Sequence, residues 1–132
     1  MLKTAVIGVG YLGRFHAQKY AGLADSELIG VVDVDPQQVQ KVADELEVPS
    51  YTDYHDVLDQ VDAVSIVVPT VHHYETAKAF MEKGVHVLLE KPFAATIEEA
   101  EELEQLSRDK NLRLQIGHLE RFNPVFTEFQ QL

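Results

Sequence analysis

A strict alternation of short apolar runs with amphipathic stretches constrains this chain more than any other feature. Thr4 to Val9, Leu28 to Val32, Ala63 to Val68, Val85 to Leu89 and Leu112 to Ile116 are rich in Val, Ile and Leu and nearly continuous in hydrophobicity, as parallel strands covered on both faces are. Between them, Leu12 to Leu23, Pro36 to Leu46, His72 to Lys83 and Thr96 to Lys110 carry apolar residues at helical spacing, for example Val39, Val42, Ala43 and Leu46. Strands that alternate with helices must be joined by crossovers, and these are right-handed in nearly all cases. The pattern therefore predicts an α/β fold: a doubly wound parallel sheet of five central strands with helices on both faces. Ser50 to Thr52 is a candidate for a further short strand, followed by a helical turn over Asp53 to Asp59.

Local signals agree with these boundaries. Asp35 before Pro36 reads as an N-cap with proline at the first helical position, Thr96 and Glu99 have capping-box spacing, and Gly84 after Lys83 reads as a helix stop. At 132 residues the chain has the size of one domain. Its 22 acidic against 11 basic residues give a formal charge of −11, which repels phosphate backbones and anionic lipid heads. Nucleic acid and membrane surfaces are therefore not expected partners. The acidic run from Glu98 to Glu104 reads as a solvated helix face. No cysteine is present, which excludes disulfides, thiolate metal ligands and a cysteine nucleophile, and the apolar start is interrupted too soon for a signal or spanning segment. A cytoplasmic protein is the expectation.

In a doubly wound sheet the ligand crevice lies at the carboxyl ends of the strands, where strand order reverses. The first strand runs into Gly8-Val9-Gly10-Tyr11-Leu12-Gly13 and then a helix. Gly8 permits the tight turn, Gly10 lets backbone approach a pyrophosphate, and Gly13 allows helix and strand to pack closely. The amides and positive dipole end of the helix, at Tyr11 and Leu12, attract the anion. Asp33 closes the second strand twenty residues past Gly13, where a carboxylate accepts the adenosine ribose hydroxyls. Together these features predict a Rossmann domain that binds a nicotinamide dinucleotide. A 2′-phosphate would face the charge of Asp33 without a neighbouring cation, so NAD is expected over NADP. No P-loop sequence is present.

The fifth strand ends in Glu90-Lys91-Pro92. On bare physics Lys91 has two readings: a group that hydrogen-bonds a substrate hydroxyl as hydride leaves its carbon, or half of a surface salt bridge with Glu90. His16 lies in a predicted helix, His55 in a polar loop and His86 in a strand, and each reads as packing or surface. Nothing has metal-ligand spacing, so a metal-free site is expected.

Several motifs occur in order: Gly8 to Gly13, Val32-Asp33-Val34-Asp35-Pro36, Val68-Pro69-Thr70 with His73, Gly84 to Pro92, and Gly117-His118-Leu119-Glu120-Arg121-Phe122-Asn123-Pro124. Together they resemble the N-terminal domain of the glucose-fructose oxidoreductase / inositol dehydrogenase family, Gfo/Idh/MocA, over nearly the whole chain. The last run looks most like the branch of UDP-N-acetylglucosamine 3-dehydrogenases and related nucleotide-sugar dehydrogenases. The resemblance implies a sugar or nucleotide-sugar substrate and a homo-oligomeric parent enzyme. It matches Lys91 to the family lysine that touches substrate hydroxyl and nicotinamide, with Glu90 beside it. It also matches Pro69 and Thr70 to the turn beside the nicotinamide ribose, His73 to a histidine opening the next helix, and His118, Arg121 and Asn123 to the stretch flanking the nicotinamide.

Residues 1–120 are accordingly expected to form the NAD-binding domain and residues 121–132 to begin the connection to a substrate domain. The family's second domain, with its acid/base histidine, is not expected within this sequence, so turnover by the chain alone is not expected either. Other readings are a stand-alone dinucleotide module or sensor, and a same-family reductase of a non-sugar substrate, such as a biliverdin reductase or dihydrodiol dehydrogenase.

Overall fold

The computed structural model describes residues 2–90 and 94–117. In chain order the elements are β1 (Leu2–Ile7), α1 (Tyr11–Gly22), β2 (Ser26–Val32), α2 (Pro36–Leu46), β3 (Ser50–Tyr51), β4 (Ala63–Ile66), α3 (His73–Glu82), β5 (His86–Glu90), α4 (Ile97–Asp109) and β6 (Leu114–Gly117). Short 3-10 turns cover Tyr54–Val57 and Thr70–His72. The strands form one six-stranded sheet, all pairs parallel, in the order β3-β2-β1-β4-β5-β6. Strand order thus reverses between β1 and β4, and the crevice predicted at such a switch point opens there.

Side-chain parity assigns each strand residue to a face. In β1, Val6 enters one apolar cluster with Val9, Ala17, Tyr20, Val39 and Val42, on the side of α1 and α2. Ala5 and Ile7 enter the other with Ala77, Phe80, Met81 and Leu103, on the side of α3 and α4. β2 keeps this parity through an irregularity: Thr4 pairs with Leu28 but Ala5 with Gly30, so Ile29 is an extra residue. Leu28 and Val31 therefore both face the α1 side although an odd number of positions separates them.

Most boundaries fall where the caps put them. Asp35 accepts from the amides of Gln37 and Gln38 ahead of Pro36, and Thr96 Oγ1 accepts from Glu99 N. The capping box differs from expectation in one bond. Glu99 Oε1 reaches back to the amide of Ala95, one residue before the cap. Gly84 stops the chain after α3 with φ of 81°. The first strand, expected to reach Val9, ends at Ile7 because Gly8 takes a φ of 91° and leaves the extended region. No helix among the described residues is long and apolar enough to cross a membrane.

Candidate functional site

Two of the three turn glycines are dictated by the protein's own packing. A Cβ on Gly8 would lie 2.3 Å from the carbonyl oxygen of Val67, and one on Gly13 would lie 1.8 Å from that of Gly8. Backbone cannot yield such distances, so α1 lies against β1 only with glycine at both places. Gly10 is different, because a Cβ there would meet nothing within 4 Å. It stands at the N-cap of α1, supplies no capping side chain, and no acidic residue occupies the first turn. The N-terminus of α1 thus has open space beside Gly10 and no side-chain cap, and its leading amides with the helix dipole behind them are a donor set that fits a bound anion such as a pyrophosphate.

Asp33 stands beside this turn and also shapes it. Its Oδ2 accepts from Val9 N at 2.9 Å and its Oδ1 from Asp35 N at 3.0 Å. Gln38, on the first turn of α2, donates from Nε2 to Val9 O at 2.8 Å. The Val9 peptide is therefore clamped at both its N–H and its C=O. A carboxylate offers about four lone-pair sites, so the two amides leave Asp33 capacity for two ribose hydroxyls.

A cavity of about 530 Å³ opens over the carboxyl ends of β1 and β2, bounded by Gly8, Asp33, Tyr54, Pro69, His72 and Glu75 among others. Three carboxylates line it, those of Asp33, Asp53 and Glu75, and no lysine or arginine does among the described residues. Asp53 is held below its ordinary pKa, first by the backbone amide of His55 and then by the His55 ring, so its charge persists in mild acid. An added phosphate dianion in this cavity would meet like charge.

The structure gives partners to Glu90, at the end of β5, and to His16 of α1. Glu90 is buried, and its Oε1 lies 2.8 Å from His16 Nε2. The Glu90 carboxylate thus meets a buried histidine, and Lys91, the other partner considered for it, lies outside the described residues. His16, read as packing or surface, is fully buried and polar in its contacts. Its Nδ1 lies 2.9 Å from Ser65 Oγ, which lies 2.7 Å from the Tyr20 hydroxyl. With Tyr20 donating to Ser65, the series runs in one direction, Ser65 donating to Nδ1 and Nε2–H to the carboxylate. Burial pushes the Tyr20 hydroxyl's pKa well up, which keeps it a donor.

The remaining candidates distribute unevenly. Pro69 lines the cavity and Thr70 opens the 3-10 turn after it. His73 opens α3 as expected, but its ring is buried with Nε2 at 2.9 Å from Val68 O, while its neighbour His72 lines the cavity. Lys91, Pro92, His118, Arg121 and Asn123, and with them the boundary at 120, lie outside the described residues. Sequence reasoning missed Gln38, Asp53, Tyr54, His72 and Glu75. Asp53 and Tyr54 could have been found, since they follow a short strand at the carboxyl edge that holds Asp33.

Comparison with known proteins agrees with this geometry. Residues 2–118 match the model of an oxidoreductase family with an NAD-binding Rossmann fold, Gfo/Idh/MocA. UDP-N-acetylglucosamine 3-dehydrogenase from Acidithiobacillus ferrooxidans is 45% identical over 130 residues, 98% of this chain and 41% of that protein. Its solved structure superposes with a TM-score of 0.86, covering 98% of this chain and 42% of that one. A scyllo-inositol 2-dehydrogenase (NAD(+)) from Bacillus subtilis is 29% identical over 131 residues, 96% of this chain and 38% of that protein. The structure of scyllo-inositol dehydrogenase from Lactobacillus casei with bound NAD(H) and scyllo-inositol is 31% identical, with a TM-score of 0.84 over 92% of this chain and 37% of that one. The chain thus spans about two fifths of the length of the relatives it matches. With residues 2–118 matched, the chain belongs to the Gfo/Idh/MocA oxidoreductase family as an NAD-binding Rossmann domain.

Proposed function

We propose that this chain is the cofactor-binding part of a dehydrogenase that oxidises a secondary alcohol on a sugar or nucleotide sugar with NAD. The observation that carries the cofactor reading is the pairing of an uncapped α1 N-terminus, beside an unfilled Gly10, with Asp33 across the same turn. The amides of Tyr11, Leu12 and Gly13 would hold the pyrophosphate, and Asp33 would accept the adenosine ribose hydroxyls with its spare lone pairs. Pro69 and Thr70 would border the nicotinamide ribose, and His73 would hold the carbonyl that precedes them. Bound NAD supplies the hydride acceptor.

The substrate class is supported by the relatives, whose printed activities are on a nucleotide sugar and on inositols. Lys91 is proposed to stabilise the alkoxide that develops as hydride departs, and Glu90, His118 and Arg121 are proposed as cofactor-binding residues. Residues 1–120 are proposed as the domain proper, and residues 121–132 as the start of the connection to substrate-binding structure.

Calorimetric titration with NAD and NADP tests the reading. NAD is expected to saturate and NADP to bind more weakly, given the three carboxylates of the cavity. Asp33→Ala should weaken NAD about tenfold or more, as expected on losing hydrogen bonds to a charged group. An unchanged NAD affinity in that variant would remove Asp33 from the site.

A further inference from the structure

We infer that His16 is a positioning residue for the nicotinamide half of the crevice: it fixes the Glu90 carboxylate at the end of β5, and Ser65 and Tyr20 fix it in turn. The inference rests on the NAD reading above and extends it to residues that line no part of the described cavity.

Place in the fold is the first argument. A dinucleotide lies across the switch point with one mononucleotide over each half of the sheet. Asp33 stands on β2, so its half takes the adenosine, and β4 and β5 lie under the other half. Ser65 and Glu90 belong to those two strands and point to the α1 face, where Ser65 pairs in register with Leu88 of the same cluster. His16 comes from α1, the helix whose N-terminus forms the anion cradle. Its two ring nitrogens therefore tie the cradle's own helix to both strands of the nicotinamide half, at 2.9 and 2.8 Å.

The second argument is energetic. Burying polar groups costs free energy that hydrogen bonds roughly recover, whereas aliphatic residues of like volume hold a helix to a sheet without that cost. The surrounding cluster of Val6, Ala17, Ala63 and Leu88 shows that this face packs well with apolar side chains. What the polar chain adds is direction, because a donor–acceptor series fixes orientation where dispersion does not. Its terminus is the carboxylate of the last residue of β5.

Parallel titrations with NAD and with ADP-ribose, which lacks nicotinamide, read this role. His16→Leu is expected to lower the ratio of NAD to ADP-ribose affinity about tenfold while ADP-ribose affinity stays within about twofold, the scale of hydrogen bonds to a charged group. Should that variant not fold, Ser65→Ala keeps both ends of the chain and should lower the ratio about threefold. A ratio unchanged in the folded variants, with both affinities or only the melting midpoint falling, overturns the inference. If neither ligand binds the unaltered chain, the NAD reading itself fails and takes this one with it.

Discussion

On the α3 side of the sheet, the strand residues that meet the helices are Val64, Ile66, Val87 and Leu89, all aliphatic, and Phe80 and Met81 fill the space above them. One position along on the same strands, the α1 side shows Ser65 and Glu90, joined to His16 and Tyr20 by hydrogen bonds of 2.7 to 2.9 Å. The two faces thus share a backbone and differ in what holds the helix. The apolar face relies on volume, which tolerates small rotations. The α1 face adds donor and acceptor directions, which do not, to the apolar packing of Val6, Ala17, Ala63 and Leu88, and it lies under the helix that begins the cofactor turn.

Substitutions that change volume alone or one hydrogen bond alone sharpen this contrast. The largest effect is expected from Phe80→Ala, which should cost about 3–5 kcal/mol in denaturant unfolding, as large-to-small changes in a buried aromatic do. Its NAD affinity, measured well below the unfolding midpoint, should stay within about twofold if the α3 face serves packing only. A tenfold loss of affinity would break the division between the faces. Tyr20→Phe keeps the ring and deletes only the hydroxyl at the far end of the polar chain, and should cost about 1–2 kcal/mol. A cost near that of Phe80→Ala would mean that the polar face is chiefly a stability device. Thr96→Ala removes the cap of α4 on the apolar side, for about 1 kcal/mol, and should leave the affinities for NAD and ADP-ribose alike unchanged.

The fold was legible because its signals are local. Apolar runs, helical spacing, the Asp35-Pro36 cap and Gly84 each act within a few residues, and the alternation then dictates the parallel sheet. The cofactor turn was legible for the same reason, since Gly8, Gly13 and Asp33 lie in one strand–helix–strand unit. The buried polar chain was not, because His16 lies 49 residues from Ser65 and 74 from Glu90 in sequence. One signal was available: Ser65 and Glu90 are polar positions beside apolar ones in β4 and β5, and parity places both on the face of α1. A polar residue on that helix, His16, was the partner they required. The exposure of Gly10 and the pull of Gln38 on Val9 needed coordinates, since neither spacing nor composition tells which carbonyl a glutamine reaches.

The clamp on the Val9 peptide bears on how cofactor preference in this chain can change. Asp33 has two parts to play with one side chain: under the proposed reading it would refuse a 2′-phosphate, and it is the acceptor that holds Val9 N–H in the turn. Replacing it by a small neutral residue to admit NADP would therefore also loosen the loop proposed to carry the pyrophosphate. Gln38 would then hold Val9 by its carbonyl alone. A switch of preference along this route calls for a substitute acceptor, such as Asn or Ser at position 33, together with a new cation near Val34. Selectivity and loop shape are linked traits here, and selection or engineering has to move them together.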